Sequence, residues 1–266
     1  MKVLVTGAAG SIGRVVTHGL ADRGHTVVGL DLVPQPGGSE GHWYTVDCTD
    51  ADAVAAVFDE ESFDGVVHLA GIPGETSLPD ALSSHVVTTA ALLDAMVEHD
   101  VSRFVYASSN HAVGRTPRRE LVGTDTRPRP DTFYGVGKVA AEALMSLYAD
   151  RHGLDAVACR IGSFHERPET PRQLATWLSH DDCVRMVDAA LTAPAPGFAV
   201  LYGISANTRA WWDLEPGRAL GYDPVDDAEE FAASVAPTPD DEAEAAYVGG
   251  PFAMADIVRP ALDRTS

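Results

Sequence analysis

The chain has 266 residues, enough for one α/β domain with a small appendage and a sizeable core, and 45% of them are hydrophobic. It carries 39 acidic against 19 basic residues, a formal charge of −20 that repels phosphate backbones and argues against nucleic acid as a partner. No apolar run approaches the ~20 residues needed to cross a bilayer. The opening Met1-Lys2-Val3-Leu4-Val5-Thr6-Gly7 turns polar too early for a signal peptide, so a cytoplasmic location is expected, with no membrane partner. Cys48, Cys159 and Cys183 are widely spaced and unpaired by motif; they read as small buried hydrophobes, not as a disulfide frame or a zinc site. Only Lys2 and Lys138 are lysines, and the acid excess with so few lysines fits either a salt-adapted cytoplasm or a GC-rich genome, the size of the net charge favouring the first. The stretch between Arg218 and Arg259 has no cation and reads as a solvated acidic face.

Residues 2–6 form a short β-branched run followed at once by glycines, which predicts a buried strand. A helix follows, with Ile12, Val15, Val16 and Leu20 spaced for one buried face. The alternation continues with strands at 26–30 and 43–46, a helix from Asp50, a strand at 65–69, a helix over about 79–99 and a strand at 103–107. A long helix is predicted over roughly 133–152, and Val157-Ala158-Cys159 reads as another strand. This order predicts an α/β fold, a Rossmann-type doubly wound parallel sheet over residues 1–162. Past residue 163 proline-bearing loops surround short helices near 172–178 and 181–192, a strand near 198–203 and an acidic tail. Residues 163–266 therefore read as a small, dependent C-terminal substrate-binding cap over the sheet's carboxyl edge.

The first loop, Gly7-Ala8-Ala9-Gly10-Ser11-Ile12-Gly13, has glycines where backbone must turn tightly and approach a pyrophosphate. The helix after it aims free N–H groups at the phosphates. Asp31 closes the second strand, near the ~20-residue offset expected of the carboxylate that takes the adenosine ribose hydroxyls. No cation follows it at once, which predicts NAD over NADP. Asp47, beside Cys48, is placed to accept from the adenine amino group, whereas Asp50 suits the cap of the next helix.

Tyr134-Gly135-Val136-Gly137-Lys138 is the most informative segment. Four residues apart on a helix, Tyr134 and Lys138 share a face, and a nearby ammonium is expected to favour the phenolate and make a usable base. Ser108-Ser109 ends a strand, with Ser109 standing 25 residues before Tyr134.

Through Thr6 to Gly13 (TGxxGxxG), Asp31, Asp47, His68-Leu69-Ala70-Gly71, Ser109 and YxxxK, the chain resembles the extended short-chain dehydrogenase/reductase family. The resemblance implies a Ser109–Tyr134–Lys138 catalytic triad. It also implies that Tyr134 and Lys138 lie against the nicotinamide end of NAD, with Cys48, Leu69, Ala70 and Gly71 along the cofactor. Within that family the likeness is to uronate dehydrogenases and spans nearly the whole chain. It includes Ala107-Ser108-Ser109-Asn110-His111, Arg160-Ile161-Gly162-Ser163, Thr176-Trp177-Leu178-Ser179-His180-Asp181-Asp182 and Ser205-Ala206-Asn207 with Trp211-Trp212. Those enzymes oxidise the anomeric carbon of galacturonate or glucuronate with NAD to an aldarolactone. By matching position, Ser109, Asn110, His111 and Ser163 would hold sugar hydroxyls, and Arg172 the carboxylate, for which a planar guanidinium is suited. Family habit implies a homodimer or larger homo-oligomer through the helices at 79–99 and 133–152.

Two positions depart from the pattern: Pro73 replaces a small hydroxyl residue, and His85 stands where relatives usually carry asparagine. The alternative on the same scaffold is an NAD-dependent sugar or glucose-6-phosphate dehydrogenase, to which Arg167 and Arg172 would offer cations. A nucleotide-sugar epimerase or dehydratase fits less well, since the cap is too small for a second nucleotide, and a non-catalytic NAD sensor would not need the triad. The ten histidines show no metal-ligand spacing, so no metal is expected. His180-Asp181-Asp182 reads as an aspartate helix cap, and Trp211-Trp212 as packing.

Overall fold

The computed structural model describes residues 1–37, 41–119, 121–237, 239–254 and 260–262. β1 (Lys2–Thr6) runs into α1 (Ser11–Asp22), and β2 (Thr26–Asp31) and β3 (His42–Thr45) then pair on one side of it, all parallel. After α2 (Ala51–Glu60) the chain crosses over to lay β4 (Gly65–His68) on the other side of β1. α3 (Leu78–Leu82), a π-helical turn (Ser83–Val87) and α4 (Thr88–Glu98) lead to β5 (Arg103–Ser109), and α5 (Phe133–His152) leads to β6 (Asp155–Ile161). β7 (Ser163–Phe164), α6 (Gln173–Thr176) and β8 (Trp177–Leu178) form a small outlying layer before α7 (His180–Thr192) returns the chain to β9 (Phe198–Gly203).

The main sheet has seven parallel strands in the order β3-β2-β1-β4-β5-β6-β9, the doubly wound architecture expected. Its central strands are apolar on both faces, with Val3, Leu4, Val5, Val66 and Val67 fully buried, as helices on both sides require. α2, α4 and α5 cover one face over Leu4, Val28, Phe58, Leu92, Phe104 and Met145. α1 and α7 cover the other over Val5, Val16, Leu20, Met186 and Leu201. Strand order reverses between β1 and β4, so a crevice opens beyond Thr6 and His68, where such sheets bind ligands. Asp50 caps α2 by accepting from Ala53 N at 3.0 Å, as expected, and Thr132 caps α5 by accepting from Gly135 N at 3.0 Å.

Several expectations are revised. The division at 162/163 cuts through the sheet: β9 pairs with β6 along its whole length, and α7 packs on α1, so 180–203 complete the Rossmann unit. The proline loops hid this, because they interrupt the rhythm without interrupting the packing. The helix foreseen over 172–178 is only α6, since Trp177-Leu178 pair as β8 with β7. The helix foreseen over 79–99 contains the π-helical turn, a register shift invisible to a 3.6-residue periodicity. Ser179, not an aspartate, caps α7 by accepting from Asp182 N at 2.9 Å. Asp182 instead accepts from the backbone of Val225 and Asp226 and pairs with Arg185, pinning the start of the acidic C-terminal part to α7. The three cysteines are free and buried, and no helix among the described residues is long and apolar enough to cross a membrane.

Candidate active site

The glycine loop leaves β1 with its backbone pressed against the turn after β4. Gly7 has φ +68°, and a β-carbon there would lie 2.7 Å from Ala70 N; at Gly13 it would lie 2.1 Å from Gly7 O. These positions exclude side chains, and Gly10 caps α1 without a side-chain acceptor, leaving first-turn N–H groups for an anion. Above the loop lies a cavity of about 730 Å³. It is lined by Gly7, Gly10, Ser11, Ile12 and Gly13, by Asp31, Asp47 and Cys48, and by Leu69, Ala70 and Gly71. Asp31 Oδ2 accepts from Ala9 N at 2.9 Å, which ties the carboxylate at the end of β2 to the loop. Asp47 caps no helix; its Oδ1 accepts from Thr49 N and Oγ1 at 2.9 and 2.8 Å, and the residue stays on the cavity wall. Burial pushes the Cys48 thiol up to about 12, so it serves as wall and not as nucleophile. Arg14, which sequence reasoning missed, also lines the cavity, with Nε donating to Ala9 O at 2.7 Å. The cleft thus has the lining expected of a dinucleotide site, with the Asp31 carboxylate on its wall.

Ser109, delivered by β5, and Tyr134 and Lys138, near the start of α5, do not line this cavity, although Tyr134 and Lys138 are expected against the cofactor. The carboxylate of Glu75 accepts from Phe133 N at 3.2 Å and Tyr134 N at 3.0 Å, satisfying free N–H groups at the start of α5. Nothing local in the sequence signals that contact across 58 residues. Lys138 Nζ donates to Ala107 O at 2.6 Å and lies 5.2 Å from the centre of the Tyr134 ring. The expected acidic phenol is not what this arrangement produces. Burial pushes Tyr134 up to about 12, opposed by its hydrogen bond with Ser109. Burial likewise pulls Lys138 down to about 7, opposed by Glu142 one turn on. Both groups resist charge because both lose water, and desolvation exceeds the help that Ser109 gives the phenol and Glu142 the amine.

Ser108 turns away from the site: its hydroxyl donates to Glu142 at 2.5 Å, and Glu142 is in turn paired with Arg160 at 2.8 Å. His85, carried by the π-helical turn, is buried and sets its ring edge-on to Tyr134 at 5.1 Å. Burial first, then the charge of Lys138, hold His85 down to about 2, so its ring is neutral. His111 flanks Tyr134 on another side, with ring centres 5.8 Å apart.

Two of the residues expected on the sugar side meet a turn of the C-terminal region. Arg172 Nη2 donates to Val248 O at 2.6 Å and Asn110 Nδ2 to the same oxygen at 3.3 Å. Ser163 shares a hydrogen bond with Thr176 at 2.9 Å, and Arg172 Nη1 reaches that threonine at 3.4 Å. Thr176, Val248 and Asp131, the partner of His111, were not singled out from the sequence; they meet the site only through tertiary packing. Arg167, by contrast, is exposed on the loop between β7 and α6. Trp211 and Trp212 are buried against Tyr202, packed as expected. Among the described residues no group of three or more histidine, cysteine or acidic side chains could hold a metal.

Comparison with known proteins agrees with this geometry. The NAD dependent epimerase/dehydratase family matches residues 3–164. A uronate dehydrogenase of Agrobacterium fabrum is 39% identical over 255 residues, covering 94% of this chain and 96% of its own. A crystal structure of the Agrobacterium tumefaciens uronate dehydrogenase, a tyrosine-to-alanine variant complexed with NAD, superposes with a TM-score of 0.89 at 37% identity, covering 99% of each chain. An NAD-dependent glucose-6-phosphate dehydrogenase of Haloferax volcanii is 35% identical over 253 residues, covering 86% of this chain and 95% of its own. With the glycine cleft, the family match and full-length likeness to NAD-dependent relatives together, the chain belongs to the NAD-dependent epimerase/dehydratase family, as a uronate dehydrogenase-like NAD-dependent dehydrogenase.

Proposed function

We propose that this dehydrogenase oxidises the anomeric carbon of a hexuronate, galacturonate or glucuronate, to the aldarolactone. Bound NAD would supply the hydride acceptor. Tyr134 takes the proton of the C1 hydroxyl, Ser109 orients that hydroxyl, and Lys138 holds the ribose side of the cofactor and lends positive charge to the phenol whenever it is protonated. Asn110, His111 and Ser163 would hold the other hydroxyls.

Arg172 carries the reading. Its guanidinium is largely buried, burial pulls its pKa down to about 10, and its Nε lacks a hydrogen-bond partner. Among the described residues no carboxylate lies within ion-pair distance of it, and Glu244 and Asp131 act on its charge only at longer range, which leaves room for a paired anion. A monoanionic carboxylate matches one guanidinium. A sugar phosphate would call for several converging cations; Arg167 is exposed, and Arg118 and Arg209, which line a pocket with Arg172, share it with Asp241, Glu242 and Glu244, while Arg209 is paired with Glu229. Arg172→Ala should therefore raise KM for a hexuronate at least about tenfold, the loss of a charge-assisted hydrogen bond, while leaving kcat less affected. Steady-state rates on both uronates, glucose and glucose-6-phosphate check this. Equal rates on neutral glucose, or an unmoved KM in the variant, would overturn the carboxylate assignment.

The enzyme is further proposed to be cytoplasmic and to work as a homodimer or larger assembly through α4, with the π-helical turn before it, and α5, where Val87 of the turn and Leu147 of α5 are exposed at 46% and 42%. Sedimentation equilibrium should return a multiple of 28.1 kDa. A monomer at working concentration would remove this part of the reading.

A further inference from the structure

We propose that Asp131 is a positioning residue: it fixes His111 as the tautomer whose Nε2 accepts a hydrogen bond, so that the site selects a substrate with a hydroxyl donor next to the reacting carbon. The proposal rests on the sugar-oxidising reading above, and it adds a residue and a hydrogen-bond polarity which that reading does not contain.

Asp131 immediately precedes the cap of α5, but it does not cap the helix, because Thr132 takes Gly135 N itself. Its carboxylate is free for another task. That carboxylate has no exposed surface, and both oxygens lie against His111 Nδ1, at 3.0 and 2.9 Å. The Thr132 hydroxyl donates to Oδ1 at 3.2 Å. The pocket around it is closed by two residues without side chains: a β-carbon at Gly114 would lie 2.0 Å from an Asp131 carboxylate oxygen, and one at Gly249 would lie 1.7 Å away. A carboxylate held this way cannot move to another partner. It can only accept, so the proton of a neutral His111 ring must sit on Nδ1.

The consequence falls on the opposite ring nitrogen. Nε2 then carries the lone pair and has no hydrogen bond among the described residues, while the ring keeps 18% of its side-chain surface exposed. The ring is held edge-on between Tyr134, at 5.8 Å, and Phe252, at 5.0 Å. The His111 backbone N–H is tied to Ser109 Oγ at 3.2 Å, so the acceptor is built onto the same frame as the two residues that handle the C1 hydroxyl. An acceptor at that place recognises O–H and rejects a substrate whose adjacent position lacks one, because the buried pair would be left unanswered. With the other tautomer Nε2 would be a donor and the preference would be reversed.

Two measurements test this. Long-range proton–nitrogen correlation spectra of the ligand-free full chain, with His111 assigned by its absence in His111→Gln, should show the proton on Nδ1. In Asp131→Asn the Thr132 hydroxyl holds the amide oxygen and turns the NH2 toward the ring, so the proton should move to Nε2. On the sugar acid, kcat/KM should then fall about tenfold to a hundredfold, with NAD affinity within a factor of about two. In the His111→Gln background the same substitution should cost less than about twofold, because Asp131 acts through that ring. A wild-type ring protonated on Nε2 overturns the proposal even if Asp131→Asn fails to fold, and so does an equal loss in both backgrounds. The ring spectrum needs no substrate. A wild type that oxidised no uronate would therefore count against the functional reading alone, and an Nε2–H ring against this proposal alone.

Discussion

Replacing Tyr134 with phenylalanine should lower kcat by about a hundredfold to ten-thousandfold, the range of a lost general base, while NAD binding stays within a few-fold of wild type. The hydroxyl is the group removed. The ring remains to pack between His85 and His111, and the cofactor cavity is walled by the loop after β1 and by the ends of β2 and β4, away from the phenol oxygen. Turnover followed by NADH absorbance and NAD affinity by calorimetry separate the two quantities. A variant keeping a tenth of wild-type activity would show that another group takes the proton. Because burial drives the phenol up to about 12, the wild-type residue is protonated at neutral pH in the free chain. The hydrogen bond with Ser109 opposes that shift, so its use as a base leans on this contact.

Lys138→Met should abolish turnover yet make the fold more stable at neutral pH. Burial pulls Lys138 from the ordinary 10.5 down to about 7 in the folded chain. Between those values the unfolded chain binds a proton here that the folded chain does not. Wild-type stability therefore rises with pH from about 7 to 10.5 through this group and is lowest at and below pH 7. At or below pH 7 the buried ammonium destabilises the fold by on the order of 5 kcal/mol, less whatever its bond to Ala107 O returns. Urea melts of both proteins at pH 6.5 and 9.5 provide the check: the variant should be the more stable at 6.5, and its advantage should shrink at 9.5. Parallel pH profiles would mean that Lys138 keeps its charge in the folded chain. Holding such a group in the core against stability is what a functional site looks like physically.

The parts of the site legible in the sequence are those that a short stretch of chain builds by itself. The glycines between β1 and α1, the carboxylate closing β2 and the one-turn spacing of Tyr134 and Lys138 all obey local geometry, and they fall where that geometry places them. The central strands were equally plain, because a strand buried on both faces is a continuous apolar run. The cap was less legible. α7 and β9 belong to the sheet, but their place depends on α7 packing against α1, some 160 residues earlier in the chain, and not on any break in pattern.

What the sequence determined alone, then, is the dinucleotide fold and the places in it of its candidate reactive side chains, since both follow from periodicity and backbone sterics over a few residues. Tertiary structure alone decided their electrical state and their partners. Desolvation is a property of everything packed around a group, so no spacing could show that burial raises the phenol of Tyr134 and lowers the amine of Lys138. The contacts of Glu75 with the start of α5, of Val248 with Arg172 and Asn110, and of Asp131 with His111 join segments that meet only once the chain has closed upon itself.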